Sequence, residues 1–415
     1  MNKALEWSLE IQNEISMWRR ELHKIPELGL NLPQTTAFIT AKLDQWGVNY
    51  TVCKNCTGVV ALLGKAGGKC IALRADMDAL PIKEETGVEH ASTNENMHAC
   101  GHDAHAAMLL GVAKVLKDHE DQLNGYVKLF FQPGEEGPGG APVMIEEGCM
   151  ENPHVDAIYA IHVTEVEEGM KPGDIRLMYG DVSAADDQFD LYVKGRGGHG
   201  AAPHMCVDPV VVGSTIIQTF QTIVSREISP LEPCVITVAT LQAGRGAENI
   251  ISDTCYMRGT VRNKNMKNRE YVLRRMEEVV KGICMAMRAD YDFKLDYGYL
   301  PVVNEEKMTD ALIASASKVL GEDGVHVWGT QQMGGEDAGF YYQLVPGCFF
   351  NLCCQTAHSD GKIYPGHNSK FMIDDSLLYR GTAVFVQAVI DITIITANMI
   401  DIIFFINCTP IFKLF

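Results

Sequence analysis

The stretch Met97-His98-Ala99-Cys100-Gly101-His102-Asp103-Ala104-His105 constrains this chain more than any other. Three imidazoles, one thiol and one carboxylate crowd into it, all ligands for a borderline-soft divalent metal. Met108, Leu109, Val112, Val115 and Leu116 follow at spacings of three and four, so these groups sit on a loop that opens a helix. A metal would dock at that helix end; solvated loop histidines are the alternative.

The remaining donors have to come from elsewhere in a long chain. At 415 residues the sequence exceeds what one core usually holds, so two domains, or one domain with a large insertion, are expected. The net charge of -18 argues against nucleic acid or an anionic membrane as the main partner and points to a small-molecule substrate. Thirteen cysteines, odd in number and scattered, do not read as a disulfide framework and suit a reducing cytoplasm. Near the N-terminus Leu5, Leu9, Ile15 and Trp18 mark an amphipathic helix rather than an export signal.

Residues 3 to 46 read as two helices broken at Ile25-Pro26-Glu27. Val59 to Leu63 and Cys70 to Ala75, flanking a glycine-rich turn, read as a hairpin whose second strand delivers Asp76 and Asp78. Tyr126 to Gln132 is a further strand, running into Pro133-Gly134-Glu135-Glu136-Gly137-Pro138-Gly139-Gly140, and Asp156 to Val163 is another that carries His162. Strands that finish on acidic or imidazole groups and alternate with helices predict an α/β sheet with its site at the strand ends.

From Ala184 the texture changes. Phe189–Lys194, Val207–Val224, Val235–Leu241, Thr254–Val261, Arg269–Met287 and Tyr291–Leu295 read as β-α-β-β-α-β, the order of a ferredoxin-like unit. The run Gly195 to Gly200 matches Gly-x-Gly-x-x-Gly but lacks the strand-turn-helix setting of a dinucleotide loop. After Pro301 the first texture resumes, with a helix at Thr309–Leu320, a buried strand at Gly347–Cys354 and the run Tyr364-Pro365-Gly366-His367-Asn368. Beyond Ile390 the chain turns apolar, but Asp391, Asn398 and Asp401 interrupt the run and argue against a membrane span.

Cys100, His102, Glu136, His162 and His367 are thus ligand-type residues at helix starts, strand ends and loops. Five protein ligands exceed one tetrahedral site, so two ions sharing a bridging group are the economical arrangement. Glu135 and Glu136 are adjacent, so their side chains diverge: one can face the ions and the other can serve as general base on the activated water.

Met97 to His105, Pro133 to Glu136, Ala160-Ile161-His162, Gly197-Gly198-His199 and Gly334-Gly335-Glu336-Asp337 together resemble the M20 metallopeptidase family, in its amidohydrolase branch. That branch includes N-acyl-amino-acid amidohydrolases, hippurate hydrolases, auxin-conjugate hydrolases and N-acetyldiaminopimelate deacetylases. The resemblance implies that Cys100, His102, Glu136, His162 and His367 bind two divalent ions, Zn or Mn first, with Co or Ni also tolerated. It implies that Glu135 is the general base, that His199 stabilises the oxyanion, in the family often at the partner subunit's site, and that Asn249 and Arg262 hold substrate. The implied fold is an α/β catalytic domain with a mixed central sheet flanked by helices and a dinuclear metal site, interrupted by an inserted ferredoxin-like α+β domain that acts as lid and dimerises.

The expected division is 1–183 and 299–390 for the catalytic domain, 184–298 for the lid and 391–415 for an apolar tail. Asp76, Asp78, Asp103, Glu336 and Asp337 are expected to orient ligands, as are His98 and His105. The expected reaction is metal-dependent hydrolysis of an N-acyl amino acid by a cytoplasmic homodimer. Deacetylation of N-acetyldiaminopimelate and dipeptidase or carboxypeptidase activity are the alternatives on the same scaffold. A Cys100 nucleophile with His102 as its base would leave Glu136, His162 and His367 idle, and a silent binding protein would not need the intact set.

Overall fold

The structure is a computed structural model that describes residues 2–244, 246–329 and 332–394. The tail expected at 391–415 lies almost wholly outside the described residues. Two compact units emerge: one comprises 2–180, 303–329 and 340–394, the other Asp181–Val302 with 332–339.

The first unit is built on an eight-stranded sheet. Its strands lie in the order Asn49–Val52, Val59–Gly64, Tyr126–Gln132, Cys70–Asp76, Ala157–Thr164, Gly347–Cys353, Ile175–Leu177 and Val325–Val327. The four central strands, from Tyr126–Gln132 to Gly347–Cys353, are mutually parallel, so Gln132, Asp76, Thr164 and Cys353 finish at one edge. The first two strands and Ile175–Leu177 run antiparallel to their inner neighbours, which makes the sheet mixed.

Cys70–Asp76 is buried along its whole length, as expected of a parallel strand covered on both faces. In Tyr126–Gln132 the period of two sends Val127, Leu129 and Phe131 into the main core, while Phe130 on the other face lies 5.5 Å from the Tyr341 ring. Helix His102–Asp118 packs on the first of these faces and is covered in turn by helices Gln12–His23 and Leu378–Ile394. Burying each large side chain there contributes roughly 1.5–3 kcal/mol.

Two expectations need correction. Val59–Gly64 and Cys70–Asp76 do not pair as a hairpin, because Tyr126–Gln132 lies between them, antiparallel to the first and parallel to the second. A strand that is apolar on both faces gains more from a central position than an adjacent, half-exposed strand would. The N-terminal region holds three helices rather than two, Lys3–Glu10, Gln12–His23 and Pro33–Trp46, with an extra break at Ile11 before the expected one near Pro26.

In the second unit the chain runs Ala185–Lys194, helix Pro209–Thr222, Cys234–Ala243, Thr254–Asn263, helix Met266–Met287 and Asp290–Tyr299. These strands form an antiparallel sheet with the third and first at its centre, the ferredoxin-like arrangement. Ala185–Lys194 alternates buried and partly exposed residues, so Phe189, Leu191 and Val193 share one apolar layer with Phe220, Val272 and Met276. Against that layer Arg269 clasps the fully buried Asp187 at 2.9 and 2.6 Å, and Asp187 also accepts from the Gly298 amide at 3.1 Å.

Removing one partner of a buried pair leaves the other charge uncompensated. Asp187→Ala should therefore destabilise the second unit by about 3–5 kcal/mol, read as a lower urea midpoint with faster amide exchange in Ala185–Lys194 and Asp290–Tyr299. A loss below about 1 kcal/mol, the value of an exposed pair, would contradict this.

Candidate active site

The parallel strands deliver their polar residues to one edge. Cys70–Asp76 ends on Asp76, with Asp78 two residues beyond. Tyr126–Gln132 enters the loop that holds Glu135 and Glu136, and Ala157–Thr164 carries His162. Glycine permits two close approaches here. At Gly101, which caps helix His102–Asp118 at φ +91°, a Cβ would lie 2.3 Å from Val163 Cγ2; at Gly140 it would lie 1.7 Å from the Pro133 carbonyl oxygen. The first lets the helix start against the strand of His162, and the second closes the loop of Glu135.

His102 is the centre of the cluster and is fully buried. Its Nδ1 lies 3.3 Å from Asp78 Oδ1, while Nε2 has no hydrogen-bond partner and lies 3.7 Å from Asp76, 3.9 Å from Glu135 and 3.9 Å from Glu136. Asp78 also accepts the backbone N–H groups of Glu135 and Glu136, at 3.0 and 3.1 Å. One carboxylate therefore fixes both the imidazole and the loop opposite it. Burial opposes charge on His102, but Asp76, Cys100 and Asp78 outweigh it and hold its pKa well above the ordinary value. The same negative field would retain a divalent cation.

Around this centre Cys100 Sγ lies 3.4 Å from His162 Nε2, and His162 Nδ1 donates to the Val163 carbonyl at 2.7 Å, which fixes the orientation of the ring. His367 Nε2 lies 3.2 Å from Glu136 Oε1. Its backbone is left-handed at φ +63° and held by an N–H bond to the Ala99 carbonyl at 2.8 Å. Donor atoms of Cys100, His102 and His162 lie within 4.8 Å of one another, as do those of Cys100, Glu136 and His367, so the two sets share the thiol. The residues fit a pair of cations. Four carboxylates surround one imidazole, Arg74 pairs with Asp76 at 2.8 Å, and His102 Nε2 and Glu136 Oε1 are buried without hydrogen bonds.

His105 is occupied otherwise. Its Nε2 accepts the Val163 N–H at 2.8 Å, so its Nδ1 must carry the proton that bonds Asp76 at 2.5 Å. Burial pushes its pKa down to about 4, and the neutral ring ties Asp76 to the strand of His162. His98 is buried, with both ring nitrogens lacking hydrogen bonds and its pKa pushed down to about 3 by burial.

Asp103 faces away from the cluster, toward Arg19 and His23, each at 2.7 Å. Burial would raise its pKa, but Arg19 and His23 hold it well below the usual carboxylate range. The sequence did not reveal this anchor, because Arg19, His23 and Glu84 are distant along the chain and only the fold closes Glu84 onto His23 at 3.2 Å.

The second unit holds the other expected residues. His199 lies on the short strand Gly198–His199, paired opposite Ile250, and its Nδ1 accepts the Ala201 N–H at 3.1 Å. The Gly200 amide donates to the Asn249 carbonyl at 2.7 Å, so His199 and Asn249 belong to one exposed loop cluster. Arg262 is not with them: it lies at the far end of Thr254–Asn263, paired with Asp186 at 2.6 Å. Glu336, also in this unit, accepts the Ala338 amide at 3.0 Å.

The family model described as peptidase family M20/M25/M40 matches residues 72–391. The N-acyl-L-amino acid amidohydrolase of Geobacillus stearothermophilus is 40% identical over 301 residues, 72% of this chain and 80% of that protein. The IAA-amino acid hydrolase ILR1-like 4 of Arabidopsis thaliana is 36% identical over 388 residues, 92% of this chain and 84% of that protein. Among solved structures, a dinuclear metal binding peptidase of the M20 family from Bacillus subtilis superposes with a TM-score of 0.79 at 29% identity, covering 92% of this chain and 99% of that one. On this evidence, which agrees with the resemblance read from the motifs, the chain belongs to the M20/M25/M40 peptidase family and is a metal-dependent hydrolase.

Proposed function

We propose that this protein hydrolyses the amide bond of N-acyl amino acids, releasing a carboxylate and the free amino acid. The observation that carries the reading is the convergence of Asp76, Asp78, Glu135 and Glu136 on His102, beside Cys100, His162 and His367. Similarity to an N-acyl-L-amino acid amidohydrolase supports the substrate class.

Cys100, His102, Glu136, His162 and His367 would hold two divalent cations, with zinc or manganese suited to this mixed thiolate, imidazole and carboxylate set. Bound there, the cations would polarise the amide carbonyl and lower the pKa of water. Glu135 takes one proton from the attacking water as the oxygen-carbon bond forms. It then gives that proton to the departing nitrogen as the carbon-nitrogen bond breaks. Asp78 keeps Glu135 in place through its backbone amide rather than through the carboxylate that must move protons. His199 donates to the oxyanion and Asn249, in the same loop cluster, binds substrate, with the second unit acting as the lid of a cytoplasmic homodimer; Arg262, expected to share the task of Asn249, is engaged by Asp186 away from that cluster. Among the described residues no helix is long and apolar enough to cross a membrane.

Dialysis against a chelator should abolish hydrolysis of acetyl, benzoyl and indoleacetyl amino acids, and zinc or manganese should restore it; unchanged turnover in protein verified as metal-free would overturn the reading. Glu135→Gln should keep full metal content while lowering turnover by roughly 10²-fold or more, the scale of a general base. Near-normal turnover would assign the proton transfer to another group.

The role of His199 has its own readout. His199→Ala should lower turnover by roughly 10²-fold with metal content intact. If His199 serves the partner subunit, mixing His199→Ala with Glu135→Gln subunits should regenerate activity, because one site of the heterodimer keeps both groups. No recovery in mixtures shown to exchange subunits would rule out the cross-subunit role.

A further inference from the structure

A second cluster of metal-type donors lies in the first unit, outside the site around His102. Strands Asn49–Val52 and Val59–Gly64 pair antiparallel, with Val52 opposite Val59, so Cys53-Lys54-Asn55-Cys56-Thr57-Gly58 is the turn of a hairpin. The Cys53 N–H donates to the Gly58 carbonyl at 2.8 Å, which closes the turn, and the Gly58 N–H lies 3.4 Å from Cys56 Sγ. A backbone donor on sulfur stabilises a thiolate, as hydrogen bonds to ligating sulfurs do in other metal centres.

A third donor comes from another part of the chain. Glu147, at the end of helix Gly140–Glu146, accepts the amides of Asn55 and Lys54, each at 2.6 Å, so its carboxylate is fixed over the turn. Donor atoms of Cys53, Cys56 and Glu147 lie within 4.8 Å of one another. Zinc-sulfur bonds of about 2.3 Å place tetrahedral ligands roughly 3.8 Å apart, so small side-chain rotations would close the set. Cys56 and Cys149 are buried while Cys53 and Glu147 are half-exposed, which leaves a path for an ion to enter. All three thiols are free, and Cys149 is near enough to Cys56 to interact with it electrostatically.

We propose that Cys53, Cys56 and Glu147 form a binding site for a thiophilic divalent cation, zinc first among them, with the fourth position filled by water or Cys149. A redox role fits the geometry less well. A reactive Cys-x-x-Cys pair draws its thiolate from a helix N-terminus or a neighbouring cation, whereas this pair sits in a hairpin turn against a carboxylate. The ion would bind the hairpin to the segment that follows the Glu135 loop. From the same turn Thr57 bonds the Leu30 carbonyl, and Leu30 packs against Gly134.

The test is a difference in metal content, independent of how many ions the site around His102 holds. Wild-type protein loaded with zinc and separated from free ion should contain one more equivalent per chain than Cys53→Ser/Cys56→Ser. If the double variant does not fold, the half-exposed Cys53→Ser alone carries the comparison. In a Cys100→Ser background, cobalt should give a thiolate-to-metal charge-transfer absorption that Cys53→Ser removes. Equal zinc contents would overturn the proposal, as would a Cys53–Cys56 disulfide in protein alkylated at lysis, which would make the pair a redox couple.

Discussion

The carboxylate of Asp78 is the constraint on which the site depends. Its Oδ1 meets His102 Nδ1 and the Glu135 amide, and its Oδ2 meets the Glu136 amide. A helix start, a strand exit and a glycine-rich loop are therefore locked by one side chain of which only 1% is exposed. Each bond to a charged acceptor contributes about 1.5–3 kcal/mol, and leaving such a group unsatisfied costs as much again. Asp78 thus holds the loop by its backbone amides and not by the side chains of Glu135 and Glu136.

Much of this was legible in the sequence, for physical reasons that differ from place to place. Met97 to His105 could be placed at a helix start because the apolar period of the following residues is visible locally. The ferredoxin-like order of the second unit was legible because each of its strands and helices carries its own periodicity. The pairing of Val59–Gly64 was not, since neighbouring strands can be separated by one that arrives later in the chain, and Tyr126–Gln132 takes the central position. His105 was expected to orient its neighbours rather than bind metal, because the resemblance fills the ligand set without it; what the sequence could not show is which neighbours, Val163 and Asp76, take its two nitrogens.

Buried charge around His102 is partly compensated within the protein. Asp103 turns from the cluster to Arg19 and His23, and Arg74 neutralises Asp76 within the sheet while donating to Gln132 at 3.0 Å. Asp103 and Asp76 therefore each have a counter-charge within the protein. His102 Nε2 and Glu136 Oε1 differ in being buried without hydrogen bonds, although His367 Nε2 lies 3.2 Å from Glu136 Oε1, and these are the atoms that the proposed reading turns toward a cation.

Charge at larger scale bears on the substrate. A chain of net charge -18 repels a carboxylate at a distance, although screening limits that field to about 8 Å at physiological ionic strength. Nearer in, Asp76, Asp78, Glu135 and Glu136 would make the cluster hostile to the carboxylate that every N-acyl amino acid carries. On the proposed reading two divalent cations reverse the sign of that local field. The acidic residues that orient the ligands then strengthen cation binding instead of opposing the substrate.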